Sequence, residues 1–100
     1  PIHHVIIYNV DVDDTTQVNN MMRKGGEVLS RIPGVRRVIT GNAVQEDAKY
    51  KLCWLIEFVH QNVIDSYREH SDHVAFADNL FRPIAGDRIS IDYSENCFPA

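Results

Sequence analysis

The stretch Tyr50–Val59, YKLCWLIEFV, restricts the fold more than any other part of the chain. Its aliphatic and aromatic residues favour a strand. Successive strand side chains point to opposite faces, so Leu52, Trp54, Ile56 and Phe58 share one face, and Cys53, Leu55 and Val59 share the other with Lys51 and Glu57. A strand apolar on both faces is expected to be covered on both. The chain has 100 residues, a usual size for one domain, and the segment 1–100 reads as a single domain. Its helices suffice for one face of a sheet. The other face needs a cover that is equally apolar, and a second copy of the same sheet supplies one.

The remaining elements arrange themselves around that strand. Residues 2–10, IHHVIIYNV, predict an opening strand. DVDDTT then supplies a helix start with Asp13 or Asp14 as N-cap. Val18, Met21, Met22, Gly25, Val28, Leu29 and Ile32 recur at helical spacing, and Pro33-Gly34 ends the helix. The Gly25-Gly26 pair points to something packed closely against that helix. Val35–Val44 predicts a second strand and Gln61–Glu69 a second helix. Ser71 is placed to cap an adjoining helix to about Phe81, and Arg88–Tyr93 predicts the last strand. The order βαββαβ is the ferredoxin-like, split-βαβ arrangement of the α+β class, a sheet with helices on one face.

Charge and composition narrow the partners. The net charge of −4 and the absence of a basic stripe argue against nucleic acid. No apolar run is long enough to cross a bilayer, so no membrane partner is expected. PIHHVIIYNV lacks the basic n-region and long apolar core of a signal peptide. Cys53 and Cys97 form no CxxC pair and read as free thiols, which fits a reducing, cytoplasmic setting.

One face of the opening strand carries His4, Ile6 and Tyr8. Aromatic residues with a polar handle, such as Tyr8 and Trp54, suit a cavity wall. The His4/Ile6/Tyr8 and Leu52/Trp54/Ile56/Phe58 faces are therefore assigned to the interior between two sheets, with Cys53, Leu55 and Val59 under the helices.

His4-Val5 on the opening strand, the IPGV turn at 32–35, and Tyr67-x-x-His70-x-x-His73-x-x-Phe76 followed by Ile91-Asp92-Tyr93 resemble, in order and spacing, the stress-responsive A/B barrel (Dabb) family. The resemblance covers nearly the whole chain and extends to the olivetolic acid cyclase-like members. It implies a dimeric α+β barrel, hence a homodimer, with a small-molecule ligand in the barrel pocket and no cofactor. It also implies a histidine general base at His73, a partner tyrosine at Tyr67 and a pocket histidine at His4. Two positions depart from the cyclase pattern: Leu52 stands where it has a further histidine, and Ser71 where the family often has proline.

The resulting expectation is a cofactor-independent proton transfer next to a carbonyl, of the cyclase, isomerase or lyase type. His73 and Tyr67 are its catalytic pair, and His4, Ile6, Tyr8, Leu52, Trp54 and Phe76 its binding residues. His73 could equally be a buried histidine satisfying a backbone group, and Tyr67 a core ring. A stress-associated binding protein without chemistry, a barrel monooxygenase, and a tautomerase using the amine of Pro1 are the alternatives. His70 and His73 would need one continuous helix to share a metal ion. Ser71 interrupts it, so no metal is expected.

Overall fold

A computed structural model describes all residues, Pro1–Ala100. The elements run β1 (Ile2–Val10), α1 (Thr15–Leu29), β2 (Val35–Asn42), β3 (Leu52–Phe58), α2 (Val63–Glu69), α3 (Ser71–Phe76), a π-helical turn (Ala77–Phe81) and β4 (Ala85–Ser94). The four strands form one antiparallel sheet in the order β2-β3-β1-β4. This is the expected ferredoxin-like α+β topology.

Local chemistry explains the boundaries. The Asp14 side chain accepts the Gln17 N–H at 3.1 Å and caps α1. Gly34, with φ of 91°, turns the chain from α1 into β2 in a backbone region that only glycine enters freely. The break between α2 and α3 falls where the sequence places it, but the cap is His70 and not Ser71. His70 is extended, its Nδ1 accepts the Asp72 N–H at 3.1 Å, and Ser71 is the first residue of α3. No helix is long and apolar enough to cross a membrane.

The faces of the sheet are the reverse of the assignment above. Register pairs Ile6 with Trp54 and Tyr8 with Leu52. This face, with Ile56 and Phe58, packs under the helices. Trp54 meets Phe76 edge-on at 5.8 Å, and Tyr8 meets Phe81 at 5.1 Å. Tyr8, Trp54, Ile56 and Phe58 are all essentially excluded from solvent. Truncating such an aromatic to alanine costs about 3–5 kcal/mol. Gly25 admits this packing: a methyl there would strike the rings of Trp54 and Phe76.

Cys53, Leu55 and Val59 are therefore not under the helices. The opposite face carries Leu55 with Ile39, Ile89, Ile91 and Tyr93, which remain 38–51% exposed. Parity groups residues onto a face but does not say which side the helices take. Both faces of β3 are apolar, and the one that the helices leave uncovered is the Leu55 face.

Candidate functional site

A cavity of about 240 Å³ opens between the β1/β4 half of the sheet and the α2–α3 corner. β1 contributes His4 and Ile6, β3 Phe58, α2 Ile64, Tyr67 and Arg68, and α3 His73. The following turn supplies Ala77, Phe81 and Arg82, and β4 supplies Arg88, Ser90 and Asp92. The break after α2 is what brings His73 back over Tyr67. In a straight helix, residues six apart would sit on different faces. Here the two rings lie 4.6 Å apart, centroid to centroid.

His73 is oriented by the backbone. Its Nδ1 lies 2.9 Å from the carbonyl oxygen of Arg68. A carbonyl only accepts, so Nδ1 carries the hydrogen and Nε2 keeps a free lone pair. Burial pulls the His73 ring below the usual imidazole range. The hydrogen bond to Arg68 opposes this, while the positive groups of His4, Arg82 and Arg68 add to it. The ring is thus a neutral acceptor near pH 7.

Tyr67 is buried, with its ring 4.8 Å from Phe58. Burial pushes its hydroxyl well above the ordinary phenol range, which keeps it a hydrogen donor. His4 lies beside both: its ring stacks on Phe58 at 5.8 Å and meets Tyr67 edge-on at 6.0 Å. Its Nδ1 is 2.5 Å from Oδ1 of Asp92, the residue paired with it across β1 and β4. Hydrogen bonds to a carboxylate are among the stronger kinds.

The remaining expected residues separate. Ile6 lines this cavity, and Trp54 and Phe76 line a small apolar cleft that adjoins it through Tyr67, His73 and Phe81. Tyr8 lies in the core with its hydroxyl enclosed and unpartnered, and Leu52 borders a shallow depression beside Cys53. Pro1 does not touch the cavity; its carbonyl accepts the Glu95 N–H at 3.2 Å. His70 and His73 turn their Nδ1 atoms to different backbone partners.

Sequence reasoning missed Asp92 as the partner of His4, and missed the three arginines. The signal was present: Arg88, Ser90 and Asp92 make a polar stripe along the strand face that looks into the fold. A cluster of His3, Glu57 and Glu95 lies on the opposite face. The buried Glu57 has Arg36 at 3.3 Å and Arg37 at 3.9 Å, which makes it an ion-pair network. The irregularity between Val35 and Arg37 in β2 lets both arginines approach it.

The family model for the stress-responsive A/B barrel domain matches residues 2–95. The chain belongs to that family. Solved structures agree in fold. A Dabb family protein from Mesorhizobium loti is 23% identical, with 96% of this chain and 97% of that one covered at a TM-score of 0.84. A dimeric ferredoxin-like protein from Thermobifida fusca is 19% identical, with 94% and 90% covered and a TM-score of 0.81. The hydroxynitrile lyase of Passiflora edulis is 12% identical, with 98% and 96% covered and a TM-score of 0.83. At these identities the likeness to each structure is one of fold. No curated protein matches the chain.

Proposed function

We propose that this A/B barrel protein is a homodimer that binds a small carbonyl compound and moves a proton on the carbon next to the carbonyl, without a cofactor. One observation carries the reading: His73, held by the Arg68 carbonyl with Nε2 free, and Tyr67 line the same cavity, their rings 4.6 Å apart.

The step balances with these groups alone. Nε2 of His73 takes the α-proton, the C–H electron pair moves into the enolate, and the Tyr67 O–H donates a hydrogen bond to its oxygen. For an isomerisation, the His73 imidazolium returns that proton from Nε2 to another carbon or to oxygen, beside the His4 ring that Asp92 holds. For a cyclisation, the enolate carbon attacks a second carbonyl, whose π pair moves onto oxygen, and that alkoxide takes the proton back from His73. The apolar wall of Ile6, Phe58 and Phe81 suits an uncharged carbonyl carbon skeleton.

The dimer reading rests on the exposed Ile39, Leu55, Ile89, Ile91 and Tyr93 face, and on similar folds being described as dimeric. The direct test of the chemistry is solvent deuterium exchange into acetophenone, a small ketone with an exchangeable methyl group, followed by NMR. Catalysed exchange lost in His73→Ala, with the assembly intact, is the expected result. Exchange that persists at full rate in that variant overturns the reading.

A further inference from the structure

The cavity is not electrically neutral. The chain carries a net charge of −4, yet three guanidiniums, Arg68, Arg82 and Arg88, line this one space against a single carboxylate. That carboxylate, Asp92, is taken up by His4 at 2.5 Å. Arg82 is paired with Asp78, one turn away, and Arg68 has Asp65 at 3.6 Å. Arg88 has no carboxylate partner among the chain's ion pairs. Its neighbour Asp87 belongs to the other face, where it accepts the Tyr50 hydroxyl at 3.2 Å. The Arg88 guanidinium carbon instead lies 5.6 Å from the centre of the Phe81 ring.

A guanidinium held over a ring in this way spends none of its N–H donors on a carboxylate. A fork with one unspent positive charge matches one carboxylate, held through two parallel hydrogen bonds. Its place along the strand fixes where that carboxylate would sit. Arg88 pairs with Tyr8, and Asp92 with His4, so the two are four residues apart on β4. At the rise of a strand, their backbones are separated by about 13 Å. Ser90 lies between them, facing the cavity.

The geometry points to Arg88 as the seat for a carboxylate at the far end of a ligand whose carbonyl lies at His73 and Tyr67, so that the substrate class is a small oxo-carboxylic acid. This rests on the reading of the cavity as a carbonyl site. The carboxylate is separated from the reacting carbonyl by a few carbons, and Phe81 and Ile6 flank the linking chain.

Binding of 4-oxo-4-phenylbutanoate and of its neutral primary amide, measured by calorimetry on the wild-type protein, Arg88→Gln, Arg88→Lys and His73→Gln, tests this. The acid is expected to bind about tenfold or more tightly than the amide, as a charge-assisted pair requires. Arg88→Gln should erase that preference and leave amide binding in place. Arg88→Lys should keep part of it, and His73→Gln should keep it whole. Equal binding of acid and amide, binding of neither, or an unchanged preference in Arg88→Gln overturns the assignment. Proton exchange is read separately on the same probes. Selective acid binding without exchange would sink the proposed chemistry and keep the Arg88 seat, whereas exchange with no acid preference does the reverse.

Discussion

Nδ1 of His73 donates to the carbonyl oxygen of Arg68 across the break between α2 and α3, at 2.9 Å. The bond fixes both the ring's tautomer and its direction, and it exists only because His70 ends one helix and caps the next. The chemistry of the site therefore depends on a backbone kink as much as on the side chains.

The first prediction concerns pH. The His73 pKa is lowered in the folded chain, mainly by burial. Between the folded and unfolded values the unfolded state binds more protons, so stability falls as pH falls. The contribution is fully present above the ordinary imidazole value of about 6.5 and is lost as pH drops through the folded value. Urea midpoints measured from pH 8 downward should decline on the acid side, and His73→Gln should make that decline shallower. Catalysed exchange should likewise hold its plateau to slightly below pH 6.5, because Nε2 stays unprotonated there.

Tyr67→Phe separates packing from chemistry. The ring packs on Phe58 and stays in the variant, while the hydroxyl is the only group lost. Thermal stability should change by about 1 kcal/mol or less, the net worth of an ordinary hydrogen bond. Deuterium exchange should drop by about 10²–10³, the usual effect of losing one donor to a developing oxyanion. An unchanged exchange rate would leave Tyr67 as a core ring only.

Asp92→Asn tests the partner of His4. The variant keeps the size of the side chain and removes its charge, so the 2.5 Å contact weakens. Nitrogen NMR of the His4 ring should then report a mixed tautomer in place of a single Nδ1–H form. Exchange should fall while the fold, read by circular dichroism, is retained. A His4 spectrum identical to wild type would show that Asp92 does not orient the ring.

Much of this was legible beforehand, for definable reasons. The element order followed from β3, whose doubly apolar run has one reading, and from turn residues such as Pro33-Gly34. The grouping of His4, Tyr67 and His73 followed from a resemblance spread over the chain. The side taken by the helices did not follow, because alternation is symmetric between faces. That is why Cys53 and Leu55 were exchanged for Trp54 and Ile56. Asp92 escaped because its partner, His4, is 88 residues away in sequence, and only the β1–β4 register brings the two together. The His70 cap escaped because serine is the commoner capping residue and stands next to it.

The two adjacent glycines of α1 should respond in opposite ways to alanine. At Gly25 a methyl would meet the Trp54 and Phe76 rings. Overpacking of this kind costs about 1–3 kcal/mol, more than the gain of about 1 kcal/mol in helix propensity. At Gly26 nothing lies within 4 Å of the added carbon, so Gly26→Ala should stabilise by up to about 1 kcal/mol. Chemical denaturation of both variants checks this, and equal effects would contradict the packing at Gly25.

The open face of the sheet bears on assembly. Leu55, Ile89 and Ile91 are 38–45% exposed in the single chain, on the face that the helices do not cover. Contiguous exposed apolar patches are where proteins associate, and the proposed dimer closes over this face. Ile91→Asp places a charge on this face, on the edge strand β4 beside Val5, its partner across the β1–β4 register. Burying that charge without a counter-ion in a closed interface is strongly unfavourable. Light scattering should report a dimer for the wild-type protein and a monomer for the variant. Because the cavity lies on the helix side of the sheet, the monomer should retain the His73–Tyr67 pair, and any loss of exchange would have to come through the sheet. A wild-type monomer at micromolar concentration would remove the dimer and leave the cavity as a site complete in one chain.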